Sequence, residues 1–361
     1  MKTIMTLCIV LIWTIQSPAV IVTADGDPNT NAPAGDCGRH TQGLLISTPY
    51  GVTVTNPVTA FGTNYFLNSS HVLVKTNDII SYGGTNYPVI GIFTSNKLQM
   101  LKIPGKLPSG SWAKLNTNMN VFGQTFYMFG CSPQRGAVIT TTLYPTSPLV
   151  LTNYSSCDTS NMFDIVGGDV GECFEIQWTT NLTSWYSLTN CTVPGNCNLK
   201  MAIAKGSEQF IAYRAVAIPV VRTNGWEVNT FSDGKIRWGM NQFGPDLDNG
   251  LLWSTFDLGG SCGTNEAAIW SDDSSGGCFV NSGGEWKLTA IIEQTTLPWY
   301  RTQDGKKVKG VMCDQRGLDF GLDLSGTMFI PFPDSPNPEP ARSGYIRLAD
   351  YKGWLAQFAG K

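Results

Sequence analysis

Ser275 is the residue whose surroundings could do chemistry. It stands in the turn Asp273-Ser274-Ser275-Gly276-Gly277, which leads into Cys278-Phe279-Val280, a glycine turn and the run Trp286-Lys287-Leu288-Thr289-Ala290-Ile291-Ile292. A serine on a tight turn between two strands holds a hydroxyl nucleophile on a rigid support. Gly276 and Gly277 permit backbone conformations and close approaches that a Cβ would prevent. Such a hydroxyl is weak until a general base takes its proton. The chain offers two histidines, His40 and His71. With so few histidines and no C-x-x-C pair, no zinc site is expected, and no cofactor.

The elements that must carry this turn read as short strands. Val, Ile, Thr, Tyr and Phe fall in short runs between Gly, Asn, Pro and Ser, and the 361 residues include 39 Gly and 20 Pro. Branched and aromatic runs between turn formers predict an all-β protein. Residues 41–135 supply Leu44-Leu45-Ile46, Tyr65-Phe66-Leu67, Met100-Leu101-Lys102-Ile103 and Phe126-Tyr127-Met128-Phe129, a spacing that suggests a small barrel or sandwich. The start of the chain fits an export signal: Lys2, an apolar core from Ile4 to Ile15, and Val22-Thr23-Ala24 as cleavage site, giving a mature start near Asp25. No later segment is long and apolar enough to span a bilayer. Of ten cysteines, Cys8 leaves with the signal, and most of the odd number that remain are expected to pair in an exported chain. Cys157–Cys173 and Cys191–Cys197 are candidate local pairs. Asn68, Asn153, Asn181 and Asn190 begin N-x-S/T acceptor sites, which matter only in a eukaryotic secretory pathway. A net charge of −3 without a basic run argues against a nucleic-acid partner.

The segments Asn265-Glu266-Ala267, Ser275-Gly276-Gly277-Cys278-Phe279 and Gly284-Glu285-Trp286-Lys287-Leu288 together resemble the nucleophile region of trypsin-like (chymotrypsin-fold) serine proteases, in particular a branch of secreted bacterial proteins. Further landmarks keep that family's order. Phe66-Leu67-Asn68-Ser69-Ser70-His71 resembles the strand that ends in the family's base histidine. Lys97-Leu98-Gln99-Met100-Leu101-Lys102-Ile103 resembles the segment that opens with its aspartate. Gly234-Lys235-Ile236-Arg237-Trp238-Gly239-Met240-Asn241 resembles a hairpin of the bacterial branch. Gly344-Tyr345-Ile346-Arg347-Leu348 through Leu355 resembles the last strand and terminal helix. The apolar spacing Leu348, Tyr351, Leu355, Phe358 fits such a helix. The resemblance implies two six-stranded antiparallel β-barrels, the first over residues 41–135 and the second, with the helix, over 225–361. Residues 1–24 are then the signal, 25–40 a linker and 136–224 a disulfide-braced insertion.

The resemblance also implies an activity: hydrolysis of peptide bonds by a secreted serine endopeptidase. Ser275 would be the nucleophile and His71 the base, side by side in a cleft. The backbone N–H groups of Ser275 and Asp273 would form the oxyanion hole. Three positions depart from the pattern. Lys97 stands where the aspartate that orients the histidine belongs, and a lysine cannot accept the imidazole N–H. Asp273 stands where the oxyanion-hole glycine belongs, and Ser274 replaces the aspartate that locks the loop. Asp78, seven residues after His71, is a candidate substitute acceptor. An inserted serine would instead make Asp273-Ser274 the family's D-S pair and Ser274 the nucleophile. Ile269, six before Ser275, argues against a charged pocket floor, and His40 has no assigned role. Two functions fit: an endopeptidase acting on polypeptide substrates, or a pseudoprotease that keeps the scaffold as a secreted binding or structural module for a protein ligand.

Overall fold

The computed structural model describes residues 21–22, 29, 35–131, 135–143, 150–156, 160–166, 173–192, 198–204, 212–228, 235–257, 262–270, 273–295, 299–321, 327–332 and 340–359. The chain is all-β and antiparallel, as expected. Seven strands make the first sheet: β1 Gln42–Ser47, β2 Val54–Ala60, β3 Tyr65–Ser69, β4 Ile79–Tyr82, β5 Thr85–Pro88, β6 Gly91–Ser95 and β7 Leu98–Lys102, in the order β5-β4-β1-β2-β3-β7-β6. The two ends of that order, β5 and β6, are consecutive halves of one bent segment. One half pairs with β4 and the other with β7, so the sheet closes on itself. Closure removes the exposed edges that an open sheet would present.

The second ring repeats the first. Its strands are β8 Thr125–Gly130, β9 Arg237–Gln242, β10 Leu247–Asp248, β11 Leu251–Thr255, β12 Gly277–Ser282, β13 Glu285–Thr295 and β14 Arg342–Arg347, in the order β9-β8-β12-β13-β14-β11-β10. Again the two ends, β9 and β10, are neighbours along the chain, and Gly244 between them donates to the Trp253 carbonyl of β11. With each bent segment counted once, both barrels have six strands and the same ring order, first-second-third-sixth-fifth-fourth. Such a repeated order is the two-barrel, chymotrypsin-like architecture that the landmarks implied.

Two boundaries shift. The run Phe126–Phe129 belongs to the second barrel, because β8 pairs with β9 and β12. The insertion is also larger than expected. Strands Arg135–Leu143 and Val220–Val228 form a hairpin that is extended by Lys307–Met312, Trp299–Arg301, Asp319–Gly321 and Phe329–Pro331 into a separate six-stranded sheet. The last four of these strands lie between β13 and β14, inside the stretch assigned by sequence to the second barrel. Two three-stranded sheets occupy the middle of the insertion. Trp226 and Val311 of the extra sheet, with Cys313, pack in one cluster with Ala268 and Trp270, just ahead of the serine turn.

An apolar seam joins the barrels. Tyr65 and Leu67 of β3, Phe279 of β12, Ile291 of β13 and Ile346 of β14 share one buried cluster. Alternation along a strand sends Phe66 the other way, into the first barrel, and Ile292 into the second. Burying one such side chain stabilises by roughly 1.5–3 kcal/mol. The chain ends in a 3₁₀ turn, Leu348–Tyr351, and the single-turn helix α1, Lys352–Leu355. Leu348, Leu355 and Phe358 enter the same seam. Phe358 meets Tyr65 with ring centroids 5.1 Å apart, so the helix end leans on the first barrel as well as the second.

Cys278 and Cys313 form no disulfide, whereas most cysteines were expected to pair. The candidate pairs Cys157–Cys173 and Cys191–Cys197 each include a residue outside the described ones, as do the signal core and cleavage site. Ile21 and Val22, the latter the first residue of that site, pair with Ala268 and Ala267. Asn68 is fully buried, which excludes a glycan there in the folded protein, whereas Asn153, Asn181 and Asn190 are exposed. Among the described residues no helix is long and apolar enough to cross a membrane. Cys278 and Cys313 lie in different apolar clusters. Burial pushes the Cys278 thiol well above its ordinary range and Cys313 up to about 12. The thiolate is the reactive form, so neither should react with iodoacetamide at neutral pH in the folded protein. Both should react once guanidinium unfolds it without reductant, as read by peptide mass spectrometry. Alkylation of the folded protein, or a thiol still blocked after unfolding, would contradict this packing.

Candidate active site

Three segments converge where the apolar seam ends. From the first barrel comes the end of β3, continuing into His71. Ser69 has the same parity as Tyr65 and Leu67, so its side chain faces the second barrel. From the second barrel comes β13. The strand is irregular between Ile292 and Gln294, and Glu293 at that point reaches Ser69 and His71 of the first barrel. The serine turn is the third segment.

That turn is held by its own polar groups. The buried Asp273 carboxylate accepts from the Trp270 N–H (2.8 Å) through one oxygen and from the Cys131 N–H (3.1 Å) through the other. The Ser275 N–H donates to the Ile292 carbonyl at 2.9 Å, and the Ile292 N–H donates back to Gly276 at 2.9 Å. Both glycines are needed for close approach rather than for unusual dihedrals. A Cβ on Gly276 would lie 1.8 Å from the Phe129 carbonyl oxygen, and one on Gly277 would lie 2.8 Å from Thr59 Oγ1 of the first barrel. The left-handed residue is Ser275, with φ of 84°.

Such a backbone turns the two serines in different directions. Ser275 is fully buried, and its hydroxyl donates to Asn68 Oδ1 (2.6 Å) while accepting from the Ser69 N–H (2.8 Å). Ser274 faces the histidine: its Oγ lies 2.7 Å from His71 Nε2, with the Glu293 carbonyl a longer alternative acceptor at 3.3 Å. On the far side of the ring, His71 Nδ1 is 3.1 Å from Glu293 Oε2 and 2.9 Å from Ser69 Oγ. Ser69 Oγ also donates to Glu293 Oε2. The His71 side chain is 46% exposed and that of Glu293 only 11%, so the carboxylate is sheltered while the ring keeps access to solvent and to a ligand. Behind the turn, burial pushes the Tyr345 phenol far above its ordinary range, and the Asp273 carboxylate adds to the effect. Tyr345 therefore stays a neutral phenol, bonded to the Ser254 hydroxyl at 2.9 Å.

The expected side-by-side pair of His71 and Ser275 is therefore corrected to His71 and Ser274. Positive φ at Ser275 swings its side chain onto β3, and the extra residue ahead of Gly276-Gly277 leaves Asp273 to lock the loop. Lys97 does not compete for the histidine: its ammonium donates to the Asn249 carbonyl at 3.1 Å. Asp78 closes its own turn by accepting from the Lys75 N–H at 2.8 Å. The acceptor at His71 is Glu293, a residue the sequence comparison gave no role. No strand alternation marks it, because Leu288 and Ile291 share the seam cluster and β13 is irregular at Thr289 and again between Ile292 and Gln294. The N–H groups of Asp273 and Ser275, expected to form the oxyanion hole, donate to Trp270 O (3.1 Å) and Ile292 O (2.9 Å). Ile269 is fully buried inside the second barrel, its N–H on Ser343 Oγ at 3.2 Å. His40 forms an exposed pair with Asp36, at 2.5 Å.

Chemically, the arrangement can pass a proton. With Nδ1 protonated toward Glu293, Nε2 is left as an acceptor for the Ser274 hydroxyl proton. Removing the two serine hydroxyls should separate their roles. Ser275→Ala strands a buried acceptor on Asn68 and a buried donor on Ser69, so chemical denaturation should show a loss of about 1–3 kcal/mol. Ser274→Ala frees only a half-exposed ring and should cost less than about 1 kcal/mol. The reverse ranking would contradict the cross-barrel role of Ser275.

No protein-family model and no curated protein matches the sequence. Among solved structures, the chain is similar to the inactivated protease paralogue S-I1 of the scabies mite, at 10% identity and a TM-score of 0.38, over 89% of this chain and 94% of that one. At that score the likeness carries no weight for fold or function. The fold stands on the ring order of its strands.

Proposed function

We propose that this chain is an exported serine hydrolase of the trypsin-like kind, acting on polypeptides, in which Ser274 is the nucleophile, His71 the general base and Glu293 the orienting carboxylate. The observation that carries this is the hydrogen-bond path from Ser274 Oγ through both nitrogens of one imidazole to a sheltered carboxylate, at 2.7 and 3.1 Å. Ser274 Oγ would attack the scissile carbonyl as its proton moves to His71 Nε2. The imidazolium would be steadied by Glu293 and would return the proton to the leaving amine. A water molecule would then release the acyl group by the same steps in reverse roles. Base and nucleophile come from different barrels, so only the closed two-barrel fold assembles them. Export and the polypeptide substrate come from the sequence, through the signal pattern and the landmarks.

One observation favours the second function, a pseudoprotease that binds without cutting: Lys97 stands where the family likeness puts the orienting aspartate, and its ammonium is turned away to the Asn249 carbonyl. A fluorophosphonate probe separates the two. The hydrolase is expected to be labelled at Ser274, with labelling abolished in Ser274→Ala and His71→Ala and retained in Ser275→Ala. Glu293→Gln should slow labelling on the order of 10⁴, as when an orienting carboxylate becomes an amide. Lys97→Asp should leave the rate unchanged. An unlabelled natural protein, or labelling at Ser275, would overturn the proposal.

A further inference from the structure

We infer that Ser69 is a positioning residue of this site, one that selects the histidine tautomer and pins the carboxylate; the inference rests on the Ser274–His71–Glu293 assignment. A glutamate projecting from a strand has more rotamer freedom to lose than the aspartate it replaces. Something must hold its carboxylate in the plane of the imidazole. Ser69 is fully buried, and its hydroxyl lies against both groups: it donates to Glu293 Oε2 and sits 2.9 Å from His71 Nδ1.

The proton count decides the role. A hydroxyl has one proton and two acceptor sites. Once that proton is given to the carboxylate, Ser69 Oγ can only accept from the ring. Nδ1 then faces two acceptors, Ser69 Oγ at 2.9 Å and Glu293 Oε2 at 3.1 Å. Neither can donate to it, so Nδ1 must carry the ring proton, and Nε2 is left bare toward Ser274. The same residue's backbone N–H holds Ser275 Oγ at 2.8 Å, so carboxylate, ring and serine turn are referred to one point on β3. A hydroxyl that served only to satisfy buried neighbours would support the fold without acting through Glu293.

The test is a double-mutant cycle on the rate of fluorophosphonate labelling. Ser69→Ala should slow labelling on the order of 10²-fold, the scale of a modest misplacement of reacting groups. In a Glu293→Gln background the same change should add less than about twofold, because the group it acts through is already lost. Ser69→Thr keeps the hydroxyl on a strand position that tolerates branching and should restore most of the rate. Equal slowing in both backgrounds, or no rescue by threonine, overturns the inference. If the natural protein is not labelled at all, the hydrolase proposal fails, and nitrogen spectra of the His71 ring then decide on Ser69 alone. A proton on Nδ1 in the natural protein that shifts to Nε2 in Ser69→Ala supports the role. A tautomer unchanged by the substitution, in a variant that still melts cooperatively, refutes it.

Discussion

The structure depends on one polar contact between barrels: the Ser275 hydroxyl set between Asn68 Oδ1 and the Ser69 N–H. All three groups are buried, and a buried polar group left unpaired is costly. Neither barrel supplies the missing partners alone, so the barrels must meet in one register. Gly277 adds a second tie, its N–H reaching Gln42 Oε1 at 3.2 Å. Around these ties the apolar seam of Tyr65, Leu67, Phe279 and Ile291 supplies area but little direction. The hydrogen bonds convert that non-directional attraction into a fixed position for the turn, and Ser274 meets His71 as a consequence.

The carboxylate beside the histidine shows what the chemistry constrains and what it leaves open. An imidazole that is to act as a base needs an acceptor at Nδ1 in the plane of the ring. It does not need that acceptor to come from any particular strand. The family likeness points to the start of β7, where Lys97 stands and turns to the Asn249 carbonyl. Glu293 reaches the same ring from β13, on the other barrel, with Ser69 beside it. Base and carboxylate are thereby divided between the barrels, which ties the site's integrity to the seam more tightly than a carboxylate on the histidine's own barrel would.

What was legible in the sequence follows from how local each signal is. Short branched and aromatic runs between turn formers specified strands, and ordered landmarks specified two barrels. His71 stands at the site they indicated. The choice between Ser274 and Ser275 was not legible, because a φ of 84° at one residue decides which hydroxyl faces the ring. The membership of Phe126–Phe129 was not legible either, since strand pairing is non-local and the run looks alike in either barrel. The strands between residues 299 and 331 read as part of the second barrel and instead extend the hairpin of the insertion, for the same reason. Glu293 was not legible, because two irregularities in β13 break the count by two and its partner lies 222 residues away.

The central claim is that His71 is held between Ser274 and Glu293, with its proton on Nδ1. Nitrogen NMR of a sample labelled only at histidine tests it directly, since the chain has two histidines and His40→Gln leaves one. The account predicts a neutral ring protonated at Nδ1, the reverse of the form that free histidine favours, with a bare Nε2 whose resonance moves in Ser274→Ala. It also predicts that Glu293→Gln disturbs the Nδ1–H signal. A ring protonated at Nε2 and indifferent to both substitutions would contradict it.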